Sequence, residues 1–473
     1  MLNYIKNLSN LVGFLYSFFR EDVLNMKIAI IGGVAAGTSA AAKASRENED
    51  AEIVIFEKGE DISYAGCGLP YYISDVIQNR DKLVINTPEE FANKYGVDVK
   101  NKHEVLAINP DKKSLRYKDL ESGQKGVYKY DKLIITTGAS PVIPPITGIE
   151  LNNILPLRTV DDADLIKDKI SDKDNSHVTV VGAGLIGLEM TEALREAGLE
   201  VTIIEKLPAV LPLIANDMSK IIQKHLLDKG VELILDDGVD KFVGNDKVNK
   251  VITESGKKIN TDLVLMSIGV KPNVSLAKKA GLEIGDTGAI AVNKRMETSI
   301  KDIYSAGDCV ETRHILSDEF VWVPLASTAN KQGRIVGINV TGGQEEHKGI
   351  LGTAITKVFD LTVATSGLST VEAENNGFTP VTVIIKGANH PHYYPDQEKI
   401  NIKGVFDRES GRILGATVIG GEGADKRIDV LITAISNGMT ADELFQLDLA
   451  YAPPYSTPKD VVNVLGMVAK KKL

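Results

Sequence analysis

Cysteine is nearly absent from this chain, with only Cys67 and Cys309 in 473 residues. Two cysteines cannot build a disulfide framework, so the expected compartment is the reducing cytoplasm, and an unusual cysteine there is a chemical group rather than a staple. An excess of positive charge is also missing. Lys and Arg number 54 against 64 Asp and Glu, a formal net charge of −10, which is the wrong sign for neutralising phosphates and argues against a general nucleic-acid binder. The apolar run "LVGFLYSFF" near the N-terminus is too short to span a bilayer and has no small-residue cleavage pattern behind it. No membrane partner and no metal site are expected, and residues 1–25 read as an N-terminal extension before a functional start at Met26.

What is present points to a soluble multidomain protein. Hydrophobic residues make up 43%, charged residues 25%, and 42 glycines imply many tight turns, while the length suggests two or three domains. Two stretches are alike: "KIAIIGGVAAGTSAAAKA" (27–44) and "HVTVVGAGLIGLEMTEAL" (177–194) each run from an apolar strand through a glycine turn into a helix. Each is followed by a second apolar strand closing on an acid, Glu57 in "AEIVIFE" and Glu205 in "EVTIIE". The acids follow the first glycines, Gly32 and Gly182, at close to the ~20-residue interval of a dinucleotide-binding βαβ unit. Gly182, Gly184 and Gly187 complete the second turn. In the first, Gly32 and Gly37 hold the outer positions but Val34 replaces the middle glycine, so a dinucleotide there is expected to lie slightly differently.

Further on, "TTGASP" (136–141) and "SIGVKPN" (267–273) close two strands in glycine turns, and "TSIKDIYSAGDC" (298–309) sets a strand before Gly307 and Asp308. With these motifs in this order, the chain from Met26 onward resembles the pyridine nucleotide-disulfide oxidoreductases. The resemblance implies an α/β fold of two Rossmann-like domains, for FAD and NAD, plus a C-terminal α+β dimerisation domain. The FAD-binding domain would be split over 26–145 and 269–346, the NAD(P)H-binding domain would occupy 146–268, and 347–473 would form the homodimer. It further implies cofactor contacts from Gly32, Val34, Ala35, Ala36, Gly37, Glu57, Lys58, Thr137, Gly138, Gly269, Gly307 and Asp308, the last holding the flavin's ribityl chain. For the nicotinamide nucleotide it implies Gly182, Gly184, Gly187, Glu189 and Glu205. The Glu205 carboxylate favours NADH, and the neighbouring Lys206 leaves NADPH possible.

The stretch "SYAGCGLPYY" (63–72) departs from the two-cysteine disulfide reductases, whose second cysteine follows five positions after the first; here that position is Tyr72. A lone cysteine before G-L-P-Y-Y resembles the coenzyme A-disulfide reductases and their NADH oxidase and persulfide reductase relatives, which store oxidising equivalents on one sulfur. Cys67 is expected at the start of the helix "GLPYYISDVI", where the dipole and a nearby flavin would favour thiolate. Cys309 reads as a packed small hydrophobe. The first glycine loop has no histidine, unlike the oxygen-reducing relatives, whereas Lys43 and Arg46 lie where CoA users grip phosphates. "HPHYYP" (390–395) and "YAPPYSTPKD" (451–460) resemble segments whose tyrosines reach across a dimer to the partner's cysteine, which assigns Tyr393 and Tyr451 to catalysis and Lys459, like Ser63, to CoA binding. Three features differ from various relatives: Gly66 in place of an asparagine, Leu185 in place of a gating tyrosine, and an end at Leu473 without a rhodanese module. The reaction implied is electron transfer from NAD(P)H through FAD and Cys67 to CoA disulfide, CoA persulfide or polysulfide. An NADH oxidase making water or peroxide, and a non-catalytic flavin and cysteine redox sensor, are the alternatives.

Overall fold

The computed structural model describes residues 25–172 and 175–473. The extension expected over 1–25 therefore lies outside the described residues, apart from Asn25. The first glycine unit sits in a five-stranded parallel sheet with strands in the order Ile303–Ser305, Lys132–Ile135, Lys27–Ile31, Glu52–Phe56 and Asp98–Lys100. Its central strands are apolar on both faces, as a parallel sheet covered by helices requires. The Ala35–Glu47 helix is rich in alanine, and this lets the Ala326–Val340 helix pack closely on it. A Cβ on Gly333 would fall 2.3 Å from the Ala36 carbonyl oxygen, and one on Gly337 2.6 Å from that of Ala40.

The second glycine unit builds another five-stranded parallel sheet, ordered Glu232–Ile234, Glu200–Ile204, His177–Val181, Leu263–Met266 and Ile154–Pro156. Its strands all lie between Lys132–Ile135 and Ile303–Ser305 in the chain, so it interrupts the first sheet. The crossing points are held by an antiparallel pair, Ala139–Pro141 with Val270–Pro272. A third sheet is antiparallel, ordered Ala354–Val358, Leu361–Gly367, Ile413–Gly420, Lys399–Asp407 and Pro380–Ala388. The Ala424–Ser436 and Val461–Lys472 helices close its core.

One exchange between cores positions the cysteine. Leu69, Tyr72, Ile73 and Leu83 belong by sequence to the first unit, yet they are buried in one cluster with Val160, Leu188 and Met190 of the second and Val363 of the third. Residues 69–83 thus join the first unit to the other two.

Candidate active site

The two glycine loops have the same internal wiring. Gly32 and Gly182 take φ of +104° and +100°, where a side chain would be strained. A Cβ on either would lie 2.2 Å from the Thr136 or 2.6 Å from the Ser267 carbonyl oxygen. The Glu57 carboxylate accepts the Gly33 N–H at 2.7 Å and the Gly59 N–H at 2.8 Å. Likewise Glu205 accepts the Ala183 and Leu207 N–H groups, both at 2.8 Å. Each acid therefore clamps its own loop before any ligand arrives. A carboxylate oxygen has two lone pairs, so a ribose hydroxyl remains within its capacity.

Neither loop helix has a side-chain cap: Val34 caps Ala35–Glu47 and Gly184 caps Leu185–Glu196 without one. Their first-turn N–H groups carry the positive end of the helix dipole and suit a pyrophosphate. A Cβ on Gly184 would meet no atom within 4 Å, which leaves open the approach that a dinucleotide backbone needs. The residues present thus fit two dinucleotides.

A single cleft of about 1480 Å³ joins the loops. Val34 and Ala35 line it at one loop and Gly182, Gly184, Glu189 and Glu205 at the other, with Ser63, Cys67, Gly269 and Asp308 between them. Lys43 and Arg46 line it as well. Lys43 pairs with Glu47 one turn on, and the Arg46 guanidinium lies 5.4 Å from the Tyr95 ring centre. Ala36, Gly37, Gly187 and Gly307 stand behind the loops as packing positions; a Cβ on Gly37 or Gly187 would come 1.9 Å or 2.1 Å from the carbonyl oxygen of Gly32 or Gly182. Thr137 and Gly138 are tied to Asn273, with Thr137 Oγ1 donating to its carbonyl at 2.7 Å. Glu57, Lys58 and Lys459 do not line the cleft, and the two lysines are exposed. Tyr393 and Tyr451 are also outside it, 64% and 46% exposed, with their hydroxyls 3.3 Å apart.

The cysteine loop lies against the first glycine loop, the Ser63 N–H donating to the Gly33 carbonyl at 2.9 Å. Cys67 occupies a 3₁₀ turn, Gly66–Gly68, and the α-helix after it is only Leu69–Ile73. It is shorter than its sequence suggests because Asp75 turns left-handed at φ +62° and is held there by Lys167 at 2.5 Å. Such a short turn carries little dipole. The thiol is accessible through the cleft, yet crowding by the walls and then the charges of Glu189 and Asp308 push it above its ordinary value, with Arg158 opposing. The expected thiolate preference is therefore corrected for the protein alone: its own groups favour the protonated thiol. Cys309 is wholly buried near Ser305 and the Ile135 carbonyl, as a packing residue.

Tyr72, in the place of a second cysteine, is a structural anchor. Its hydroxyl donates to Asp164 at 2.9 Å, while Arg80 bridges Asp164 and Asp61 at 2.8 and 2.7 Å. Sequence reading missed three cleft residues. Arg158 pairs with Asp308 at 2.8 Å and follows no motif. Arg334 reaches the same cleft as Lys43 and Arg46 from the Ala326–Val340 helix, and no sequence motif marks it. Tyr64, enclosed in the cleft wall, is pushed up to about 12 chiefly by burial, which keeps its hydroxyl a neutral donor. Glu189 is also raised, mainly by burial, although Thr356 Oγ1 donates to it at 2.9 Å.

Two dinucleotide folds facing one thiol across a shared cleft define an oxidoreductase that relays electrons from a nucleotide to sulfur. The chain belongs to the pyridine nucleotide-disulphide oxidoreductases, matching that family over residues 26–333 and its dimerisation domain over 353–461. It is 37% identical over 447 residues to the NAD(P)H coenzyme A polysulfide/persulfide reductase of Pyrococcus horikoshii, covering 94% of this chain and 99% of the relative. It is 35% identical to the coenzyme A disulfide reductase of Staphylococcus aureus, over 94% and 100% of the two chains. The crystal structure of reduced Bacillus anthracis CoADR-RHD superposes with a TM-score of 0.92 at 41% identity, covering 94% of this chain and 80% of that one. Among the described residues no helix is long and apolar enough to cross a membrane.

Proposed function

We propose that this protein is an FAD-dependent reductase that uses NADH to reduce CoA disulfide or CoA persulfide through Cys67. The observation that carries the reading is the single cleft in which one accessible thiol stands between two uncapped glycine-loop helices. Bound FAD supplies the two-electron chemistry that links a hydride donor to a disulfide. The first loop and Asp308 would hold it, and the second loop with Glu205 would hold NADH. Lys43, Arg46 and Arg334 form a cationic end suited to the phosphates of CoA.

Cys67 as thiolate attacks one sulfur of CoA disulfide. A Cys67–CoA disulfide bond forms, the original sulfur–sulfur bond breaks, and one CoA thiolate leaves with the bonding pair. Reduction of the mixed disulfide by the two electrons of NADH releases the second CoA and restores the Cys67 thiolate. One NADH, one proton and one CoA disulfide become NAD⁺ and two CoA thiols. The departing CoA sulfur takes on negative charge with the bonding pair, so it needs a hydrogen-bond donor nearby. Tyr393 and Tyr451 of one subunit supply it to Cys67 of the other: in their own chain they stand outside the cleft with paired, exposed hydroxyls, and family membership includes a dimerisation domain.

The test is steady-state NADH oxidation under argon with CoA disulfide, against the same enzyme with oxygen alone. Turnover that requires CoA disulfide supports the reading; equal turnover with oxygen alone replaces it with an oxidase, and no turnover with either of these or with CoA persulfide replaces it with a redox sensor.

A further inference from the structure

The segments that carry Tyr393 and Tyr451 are far apart in the chain and have no strand or helix in common. Tyr393 lies in the 389–398 connection between the Pro380–Ala388 and Lys399–Asp407 strands, and Tyr451 in the 447–459 segment before the Val461–Lys472 helix. Two exposed loops of this kind have no reason of their own to keep two hydroxyls 3.3 Å apart. Beneath them is Arg427, in the first turn of the Ala424–Ser436 helix, 1% exposed and the largest fully buried side chain among the described residues.

Its guanidinium binds both loops. Nη2 donates to the Asn389 carbonyl at 2.8 Å, to the Tyr455 carbonyl at 3.4 Å and to Asp460 Oδ2 at 2.8 Å, while Nη1 donates to the Gly423 carbonyl at 3.0 Å. Asp460 is 3% exposed, accepts Ser456 Oγ at 2.6 Å, and caps the last helix through the Val462 N–H at 3.0 Å. Asn389 in turn closes its own loop, its Oδ1 accepting the Glu398 N–H at 2.9 Å. A planar fork meeting carbonyls of two loops and one carboxylate fixes direction as well as distance, which an ammonium cannot reproduce. Charges buried this deeply gain little net stability over an apolar pair.

We infer that Arg427, with Asp460, is a positioning residue that holds the Tyr393 and Tyr451 loops in the register at which their hydroxyls act together. This rests on the proposed role of the two tyrosines at the partner's cysteine. Arg427 touches neither substrate nor cofactor, so its effect passes through the loops.

The experiment uses the FAD-loaded Arg427→Met/Asp460→Asn double variant, which removes both charges and keeps a helix cap, with Arg427→Lys as a second variant should the first fold poorly. Three quantities are read: flavin reduction by NADH, reoxidation by CoA disulfide, and the titration of Tyr451 by ¹⁹F NMR after 3-fluorotyrosine incorporation, assigned with Tyr451→Phe. Within its own chain the Tyr393 hydroxyl holds the Tyr451 phenol above its usual value. Expected are flavin reduction at the wild-type rate, reoxidation at least about tenfold slower, and a Tyr451 midpoint that falls toward an ordinary phenol. An unchanged Tyr451 midpoint overturns the clamp whatever the rates do, as does flavin reduction slowed as much as reoxidation. A lowered midpoint with reoxidation at the wild-type rate sustains the clamp and overturns instead the tyrosine reading, which Tyr393→Phe and Tyr451→Phe with Arg427 intact then check directly.

Discussion

Gly182 and Gly184 are two positions apart in one loop, yet an alanine should do different damage at each. At Gly182 the added Cβ would sit 2.6 Å from the Ser267 carbonyl oxygen and 2.8 Å from its carbon, at φ +100°. The left-handed conformation costs about 1–3 kcal/mol, and overlap with backbone that cannot rotate away adds about 1–3 kcal/mol. Gly182→Ala should therefore lose about 2–6 kcal/mol, lowering Tm by at least ~4 °C if each kcal/mol is worth about 2 °C or more. Gly184 has φ −79° and ψ −170°, open to alanine, and nothing within 4 Å of the new methyl, so Gly184→Ala should keep its stability to within about 0.5 kcal/mol and its Tm close to the wild type's. Its methyl projects into the cleft where the nucleotide backbone must approach, and a loss of ~1.4 kcal/mol in binding is a tenfold higher Kd. Thermal unfolding and anaerobic NADH titration of each purified variant measure both quantities. A Gly184→Ala protein that loses as much Tm as Gly182→Ala, or binds NADH like the wild type, would refute the assignment of packing to one glycine and ligand approach to the other.

Cys67→Ser should keep FAD and still accept hydride from NADH but lose reduction of CoA disulfide, because a hydroxyl cannot exchange with a sulfur–sulfur bond; mass spectrometry of oxidised wild type should show CoA on Cys67, and a free thiol or only a sulfinic acid counts against the mechanism. NADH should exceed NADPH in kcat/KM, since Glu205 borders the cleft and repels a 2′-phosphate; parity would sink that reading. Replacing Glu205 by Ala should also destabilise by about 1–3 kcal/mol, as two loop N–H groups lose their acceptor. In FAD-free protein, the pH midpoint of Cys67 alkylation by iodoacetamide should lie above that of a free thiol, because crowding and the Glu189 and Asp308 charges raise it. Below that midpoint the thiol is protonated and slow. Glu189→Gln should lower the midpoint and Arg158→Met should raise it, and no movement in either would show that these charges do not reach the sulfur.

Much of this protein was legible locally. Gly32 and Gly182, with the acids that follow them, marked both dinucleotide units, because a tight turn, an approach to phosphate and a strand-end carboxylate each demand a particular residue type at a particular spacing. The lone cysteine and Tyr72 could also be read as a departure from a two-cysteine site. Other features depended on contacts between distant segments. Burial of Leu69, Tyr72 and Ile73 against Val160 and Leu188 anchors the cysteine loop to the neighbouring unit, and the left-handed Asp75 stops its helix after five residues, so the dipole expected to favour thiolate is weak. The charges that set the thiol, Glu189, Asp308 and Arg158, come from three separate stretches, and Coulomb interactions depend on distance through the fold rather than along the chain. Arg158 and Arg427 followed no motif, since an arginine acquires its role from the carboxylates and carbonyls that packing brings to it. Residue types and their spacing decided which chemistries were available; the meeting of three cores decided where the thiol sits and which charges it feels.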